Sequence, residues 1–498
     1  MRTHSQTPSE KSDPQESRVW YEAFKRKDSR FDGRFFVGVL STGVYCRPVC
    51  RARLPRAANC TFYDTAAEAE RAGFRPCLLC RPELAPGNAP VDAKAALVYR
   101  AAKLMEENCA HGDVVREIAK RLGCTDRHLR RAFLEKFRVT PVEYMQTCRL
   151  LLAKNLLTST TLSVLNVAMA AGFGSLRRFN DLFKKRYRLA PTALRKKLPD
   201  AEKNKGSITV SLGYRPPYRW QKLLDFLEFR SIPGVEKVEG GEYFRTARFA
   251  TGDGREARGW VRVAHQPENR TLAVSVDVAL LPALPQVLSR VRHLFDLCCD
   301  PGAVHESLAS MNAIKPGACV PGTRLPGSFD TFEMAVRAVL GQQITVKAAR
   351  TLATRIVNAH GTPIQTGVDG LTHVFPSAGD IVALDGPIEN HLCALGVTGA
   401  RARTILELAK AFETGTVDFS LCAQPDAEVK KLMTLPGIGA WTAHYIAMRA
   451  MGWPDAFLET DYGVKKALAP RSSKEILALA ENWRPWRGYA TVNLWNTL

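Results

Sequence analysis

Four cysteines between positions 46 and 80 constrain this chain more than any other feature. They read Cys46-x3-Cys50 and Cys77-x2-Cys80, with 26 residues between the pairs. Two close pairs held apart by a loop supply the soft ligands that tetrahedral Zn²⁺ takes, and one ion then fixes a small unit around itself. Arginines crowd the ligands: Arg47, Arg51, Arg53, Arg56, Arg75 and Arg81. Four thiolates on a divalent cation leave a net negative charge. Guanidinium groups offset it, and the same groups suit phosphate. Spacing alone also fits a structural knuckle that only staples a small domain, or a pair of disulfides. Cys60, between the pairs, is a rival ligand.

Charge says where to look for a partner. The chain has 498 residues, enough for about three or four domains, and a net charge of +21. Residues 1–200 hold 37 Lys and Arg against 20 Asp and Glu, a surplus of +17, and the remainder carries only +4. A basic front half of that size implies a polyanion, with nucleic acid the leading candidate; plain solubility seldom needs such asymmetry. Thirteen cysteines, an odd count with no even spacing outside the cluster, suit a reducing compartment. Residues 1–17 are polar without an apolar core, so they are expected as a disordered tail and not a signal peptide. No apolar run approaches membrane-spanning length. The expectation is a cytoplasmic chain with no membrane partner.

After a Pro-rich linker at 82–90 and an amphipathic stretch at 93–108, a repeat appears. Residues 114–141 and 162–191 share a plan: a short helix with a small residue (Ala119, Ala168), a glycine turn (Gly123, Gly172), then a basic helix. Phe133 and Phe183 stand 50 apart, as do Pro141 and Pro191. That is helix-turn-helix grammar, written twice. Each second helix opens with polar and basic side chains suited to base edges: Arg127, His128, Arg130 and Arg131 in one, Ser175, Arg177 and Arg178 in the other. Taken singly, each arginine reads as a solvated helix face.

Beyond a polar hinge at 200–206 the patterning changes. Alternation at 208–212, 241–249, 260–265 and 271–276 predicts strands, with helices after residue 218 and at 284–297. From Phe329 onward the pattern reads as all helix. Leu435-Pro436-Gly437-Ile438-Gly439 is a Gly-x-Gly turn between helices, whose backbone N–H groups can face a phosphate. Asp461 follows in Leu458-Glu459-Thr460-Asp461-Tyr462-Gly463, where an acid could simply cap a helix.

These words carry three resemblances. Residues 35–53 (FFVGVLSTGVYCRPVCRAR) and 67–83 (AEAERAGFRPCLLCRPE) resemble the zinc domain of the Ada regulator of the alkylation response. That resemblance implies one Zn²⁺ on Cys46, Cys50, Cys77 and Cys80, with Cys46 also the irreversible acceptor of a methyl group from a DNA methylphosphotriester. It implies DNA-backbone contacts at Thr42, Arg53 and Arg75. The repeat, with Phe179-x3-Phe183-Lys184-Lys185 and Pro191, resembles the AraC-type tandem helix-turn-helix domain, which implies promoter binding and RNA polymerase as partner. The remainder is similar to the AlkA-type 3-methyladenine DNA glycosylases of the helix-hairpin-helix superfamily. The similarity rests on Tyr214-Arg215-Pro216-Pro217-Tyr218, residues 337–346 (RAVLGQQITV), the Gly437–Gly439 turn, the Asp461 segment and residues 483–495 (WRPWRGYATVNLW). It implies Asp461 as catalytic carboxylate, Trp441, Tyr445 and Trp495 around the base, and Gln343 as the wedge into the duplex. Bifunctional relatives place lysine at the Trp441 position, so no strand-cleaving lyase is expected. No cysteine lies beyond Cys422, so no iron–sulfur cluster is expected.

The expected fold is multidomain: a disordered tail at 1–17, a small α+β four-cysteine zinc domain at 18–88, an all-α tandem helix-turn-helix domain at 92–197, an α+β domain at 207–300 and an all-α helix-hairpin-helix glycosylase domain at 301–498. The expected function is a bifunctional alkylation-response regulator and repair enzyme. Two alternatives stay open: a glycosylase that uses the front units only as DNA tethers, and a regulator with a decayed enzyme half.

Overall fold

In the computed structural model, the described residues are 14–27, 31, 35–50, 52–63, 66–77, 79–80, 82, 96–109, 114–195, 206–251, 255–419 and 425–498. The expected linker beyond Pro82, the hinge before Gly206, Arg51, Arg81, Cys422 and residues 1–13 lie outside them. Residues 14–17, expected in the tail, instead begin helix α1 (Pro14–Lys25). Proline suits the first helical position, and the helix is held at its middle, where Trp20 stacks on Phe35 at 5.2 Å.

The front unit is a four-stranded sheet, β1 (Phe36–Val39), β2 (Val44–Cys46), β3 (Cys60–Tyr63) and β4 (Arg75–Pro76), in the order β3-β1-β2-β4, with helix α2 (Ala66–Arg71) across it. β1 pairs antiparallel with β2 and β3, and β2 pairs parallel with β4. That parallel pairing sets Val44 against Arg75 and so brings the two cysteine pairs to the same end of the sheet.

Helices α3 (Ala96–Glu107), α4 (Val114–Arg121), α5 (Asp126–Phe137), α6 (Pro141–Ser159), α7 (Val164–Ala170) and α8 (Leu176–Tyr187) follow, with α4 and α5 forming the first repeat, α7 and α8 the second, and α6 joining them. The repeat holds down to backbone detail. Gly123 and Gly172 both take positive φ (67° and 80°), the conformation that glycine adopts without steric cost. Thr125 and Ser175 cap α5 and α8 with their hydroxyls. Arg138 and Arg188 close the same helices in the left-handed conformation. Ala119 and Ala168 are buried where the helices cross.

A five-stranded antiparallel sheet follows, β5 (Ser207–Gly213), β6 (Glu236–Glu239), β7 (Glu242–Ala250), β8 (Glu256–Gln266) and β9 (Thr271–Asp277), ordered β5-β9-β8-β7-β6, with helices α9 (Trp220–Arg230) and α10 (Leu284–Leu294). The alternation located four of these strands and missed β6, whose sequence Glu-Lys-Val-Glu has a single apolar residue. The rest is helical, with one correction. Thr362–Pro363 and His373–Val374 form a short antiparallel pair, because this excursion lies along β7 and the Thr246 hydroxyl donates to the His373 carbonyl at 2.7 Å.

Among the described residues, apolar packing and a buried ion cluster both help to join the units. Apolar side chains of α6, α7 and α8 run without a break into those of β5, β7, β8, β9, α9 and α10, so Leu150, Phe183, Ile208 and Val274 share one core. A buried ion cluster then fastens the sheet to the helix Thr331–Leu340. Arg245 reaches Glu333 at 2.8 Å, while Arg337 bonds Glu236 at 2.7 Å and Glu333 at 2.9 Å. Every charge in it is paired, the condition under which such groups are tolerated inside a fold.

Candidate functional site

The four cysteine sulfurs lie within 4.8 Å of one another, and Cys46, Cys50 and Cys77 are buried. Tetrahedral zinc with Zn–S bonds of about 2.3 Å sets sulfurs about 3.8 Å apart, so the quartet fits that ion in donor type and spacing. Crowding makes the fit chemical as well. Hydrogen bonds from Cys50, Cys77 and Cys80, together with burial, push the Cys46 thiol up, whereas Cys46 in turn holds Cys77 down. Four thiolates cannot share this space without a cation. Cys60 stands apart from the quartet: its thiol donates to the Arg56 carbonyl at 3.5 Å, and burial pushes it up to about 11. The Arg47 backbone N–H points at Cys80 Sγ at 3.4 Å and its guanidinium at the Cys80 carbonyl, also at 3.4 Å. That buried arginine serves the cluster, while Thr42, Arg53 and Arg56 are exposed and Arg75 is half-buried.

On the reading helices, Arg127, His128, Arg177 and Arg178 are exposed. Arg130 pairs with Asp126 at 2.7 Å and Arg131 with Glu135 at 3.8 Å, so both are tied along their own helix. The Ser175 hydroxyl accepts from the Arg178 N–H at 3.2 Å, which orients the start of α8. Ser175, Arg177, Arg178 and Lys185 line one open depression with Gln146, Asp181 and Leu182.

The third site is a cluster of aromatic rings around one carboxylate. Asp461 caps the helix Tyr462–Leu468 by accepting from the Val464 N–H at 3.1 Å. It also does what a plain cap does not. Its two oxygens accept from two indoles, Trp495 Nε1 at 2.8 Å and Trp441 Nε1 at 3.2 Å. Three donors thus fix one half-buried carboxylate. Trp441 stacks on Tyr445 at 5.1 Å and 7°, one helical turn apart on Ala440–Arg449. Trp495 faces Tyr445 at 6.5 Å. Gly463 makes room for this: a Cβ there would sit 2.7 Å from Trp495 Cδ1 and 3.1 Å from the Asp461 carboxylate.

Sequence reasoning missed three members. Phe226 on α9 stacks on Trp495 at 6.1 Å and 16°. Arg230 lies over the Phe226 ring at 3.7 Å, and Arg449 donates to the Tyr445 hydroxyl at 3.0 Å. Burial pushes the Tyr445 phenol up, but Arg449, Arg230 and Arg337 outweigh it and hold the group below its ordinary value. The only signal in the sequence was that Phe226 and Arg230 lie one turn apart, close after the Tyr214–Tyr218 motif.

Gln343 is exposed at the tip of the loop between Thr331–Leu340 and Val346–His360, with φ of 54°. A non-glycine residue held there is strained, and such strain collects at working sites. Its neighbour Gln342 anchors the loop, donating to the Gly437 carbonyl at 2.9 Å and the Thr442 hydroxyl at 3.0 Å. The loop tip and the Gly437–Gly439 turn are therefore one structural piece. Gly437 takes φ of 81°, and a Cβ there would overlap the Thr404 hydroxyl.

Comparison with known proteins agrees with this division. Residues 19–83 match the metal binding domain of Ada, 118–197 a helix-turn-helix domain and 209–330 the AlkA N-terminal domain. The DNA-3-methyladenine glycosylase 2 of Escherichia coli is 35% identical over 58% of this chain and 96% of its own length. The bifunctional transcriptional activator/DNA repair enzyme Ada of the same organism is 34% identical over 30% of this chain and 40% of its own length. A Mycobacterium tuberculosis protein described as a probable bifunctional transcriptional activator/DNA repair enzyme AlkA is 37% identical over 96% of both chains. Matched over almost its whole length, the chain belongs to this family of AlkA-type bifunctional transcriptional activator and DNA repair enzymes.

Proposed function

We propose that this chain answers DNA alkylation with two separate chemistries. Cys46 takes the methyl group of a backbone methylphosphotriester, and the pocket around Asp461 excises alkylated purines such as 3-methyladenine. The observation that carries the reading is the Asp461 carboxylate, fixed by two indole N–H groups within a cluster of aromatic rings. The four-sulfur cluster supports the sensor half.

In the pocket, a nucleotide flipped from the duplex stacks among Trp441, Tyr445 and Trp495, with Gln343 filling the gap it leaves. A cationic purine is favoured over a neutral base by the negative faces of these rings. As the glycosidic bond ionises, the pair of electrons leaves with the base, and the Asp461 carboxylate stabilises the positive sugar and orients the incoming water. The leaving base already carries positive charge, so no strong general acid is needed. No lysine stands at Trp441, so the reaction stops at the abasic site. The Gly437–Gly439 turn grips backbone phosphate through its N–H groups.

In the front unit, Cys46, Cys50, Cys77 and Cys80 would hold the zinc, which keeps Cys46 a thiolate at neutral pH while damping its nucleophilicity. Cys46 Sγ attacks the methyl carbon, the methyl–oxygen bond breaks, and its electrons stay on oxygen to give an ordinary phosphodiester. The product is a thioether, so each molecule acts once. One negative charge is lost beside DNA phosphate, which strengthens DNA binding. Thr42, Arg53 and Arg75 contact that backbone. Arg127, His128, Arg130 and Arg131 on α5 and Ser175, Arg177 and Arg178 on α8 then meet the promoter, where RNA polymerase is the partner.

DNA carrying tritiated methyl groups tests both halves at once. Label is expected in two places: bound to protein at no more than one equivalent, and free in solution as methylated base. Cys46→Ala should remove the first and leave the second. Label that stays on the Cys46→Ala protein overturns the acceptor assignment, and absence of free base overturns the glycosylase reading.

A further inference from the structure

Among the described residues, one buried side chain of the zinc unit bonds directly to the second reading helix. Glu70, in α2, is 1% exposed. Its Oε1 accepts from the Tyr45 hydroxyl at 3.0 Å and from the Tyr187 hydroxyl at 3.2 Å. The Arg186 guanidinium donates to the Glu70 carbonyl at 3.3 Å. Both phenols are themselves buried, at 0% and 1% exposure. The other carboxylate oxygen, Oε2, is buried and makes no hydrogen bond. Burial pushes the carboxyl up to about 8, against the two phenols and the charges of Arg186 and Lys154. A buried acid this incompletely satisfied is costly, and a well-packed apolar residue would serve adhesion better.

The ends of this bridge are what give it meaning. Tyr45 immediately precedes Cys46, and its carbonyl accepts from the Cys77 N–H at 3.0 Å. It is therefore clamped between two ligands of the cluster. Tyr187 is the last residue of α8, where its ring meets Phe183 edge-on at 4.8 Å. The first repeat ends in Phe137 at the matching position, a side chain with no hydroxyl to offer. The bridge is thus specific to one of the two readers.

We propose that Tyr45, Glu70 and Tyr187 form a joint that transmits the state of the Cys46 cluster to α8. The proposal rests on the reading of Cys46 as methyl acceptor. When Cys46 becomes a bulkier, neutral thioether, β2 must adjust at Tyr45. The shared carboxylate oxygen then redistributes its two phenol bonds, and the last turn of α8 feels the change. Glu70 is a positioning residue in this scheme and touches no DNA.

Hydrogen–deuterium exchange on the full zinc-loaded chain tests it, before and after reaction with a duplex oligonucleotide carrying one methylphosphotriester and removal of the DNA. Couplings of this kind are typically about 5- to 150-fold, so amide exchange in the last turn of α8 is expected to change by about tenfold. The last turn of α5 should not change. Tyr187→Phe and Tyr45→Phe each delete one hydroxyl and keep the ring, and both should hold the α8 response below about twofold while zinc content is unaltered. If mass spectrometry finds Cys46 methylated and α8 responds alike in wild type and both variants, or in none, the joint is overturned and the acceptor reading stands. If Cys46 is never methylated, the acceptor reading falls, and replacement of zinc by cadmium, which lengthens the metal–sulfur bonds while keeping the four-thiolate site filled and the unit folded, serves as the perturbation. An α8 response in wild type that both variants abolish supports the joint, and an equal response in all three overturns it.

Discussion

Asp461→Asn lowers the release of 3-methyladenine from alkylated DNA by about 10³-fold or more, which corresponds to about 4 kcal/mol of lost transition-state stabilisation. Asparagine is nearly isosteric and caps helices as well as aspartate does, so the helix Tyr462–Leu468 should keep its start. The loss has two physical parts. The charge opposite the ionising sugar disappears. The amide NH₂ also faces an indole N–H where a carboxylate oxygen had accepted, so one of Trp441 and Trp495 loses its partner. Single-turnover base release measures the effect. DNA binding by the helix-turn-helix helices should stay within about twofold, because α5 and α8 lie in other units. Persistent base release in the variant would mean that another group performs the chemistry.

Zinc removal should have the other large effect, confined to the opposite end of the chain. Cys46, Cys50 and Cys77 are core residues of the front unit, packed with Phe35, Val37 and Val39 in a cluster of eight buried side chains among the described residues, beside a second cluster of four. Apparent zinc binding energies of about 10–16 kcal/mol in small structural sites exceed what so small a core can supply. A strong chelator should therefore unfold residues 35–80, visible as rapid proteolysis there. Base release should continue, since the pocket draws on α9 and the C-terminal helices. An apo chain whose front unit resists proteolysis as the zinc-loaded one does would show that the core alone holds the sheet.

The parts of this molecule that a reader of the sequence can see are those written in local pattern. The tandem repeat was legible because Gly123 and Gly172, Phe133 and Phe183, and Pro141 and Pro191 each report a short-range requirement of a tight turn, a buried face or a helix start. The cysteine quartet was legible for the same reason. What stayed hidden is long-range. Phe226 joins Trp495 across 269 positions of chain. Glu70 meets Tyr187 across 117 positions. No periodicity in α6 announces that Lys154 is wholly buried, because that helix is covered from several sides at once and so has no single apolar stripe. Strand β6 escaped for a related reason: its neighbours, not its composition, make it a strand. Asp461 was ambiguous between cap and catalyst in the sequence; the structure shows the cap bond and two further indole donors on the same carboxylate, which local pattern could not announce.

Peptide mass spectrometry after mixing the zinc-loaded chain with methylated DNA tests the central claim most directly. The peptide containing Cys46 should gain one methyl in place of a proton, with Cys50, Cys77 and Cys80 unmodified and free methylated base accumulating in the same tube. An unmodified Cys46 alongside continued base release would contradict the account and leave a glycosylase tethered to DNA by a structural zinc unit.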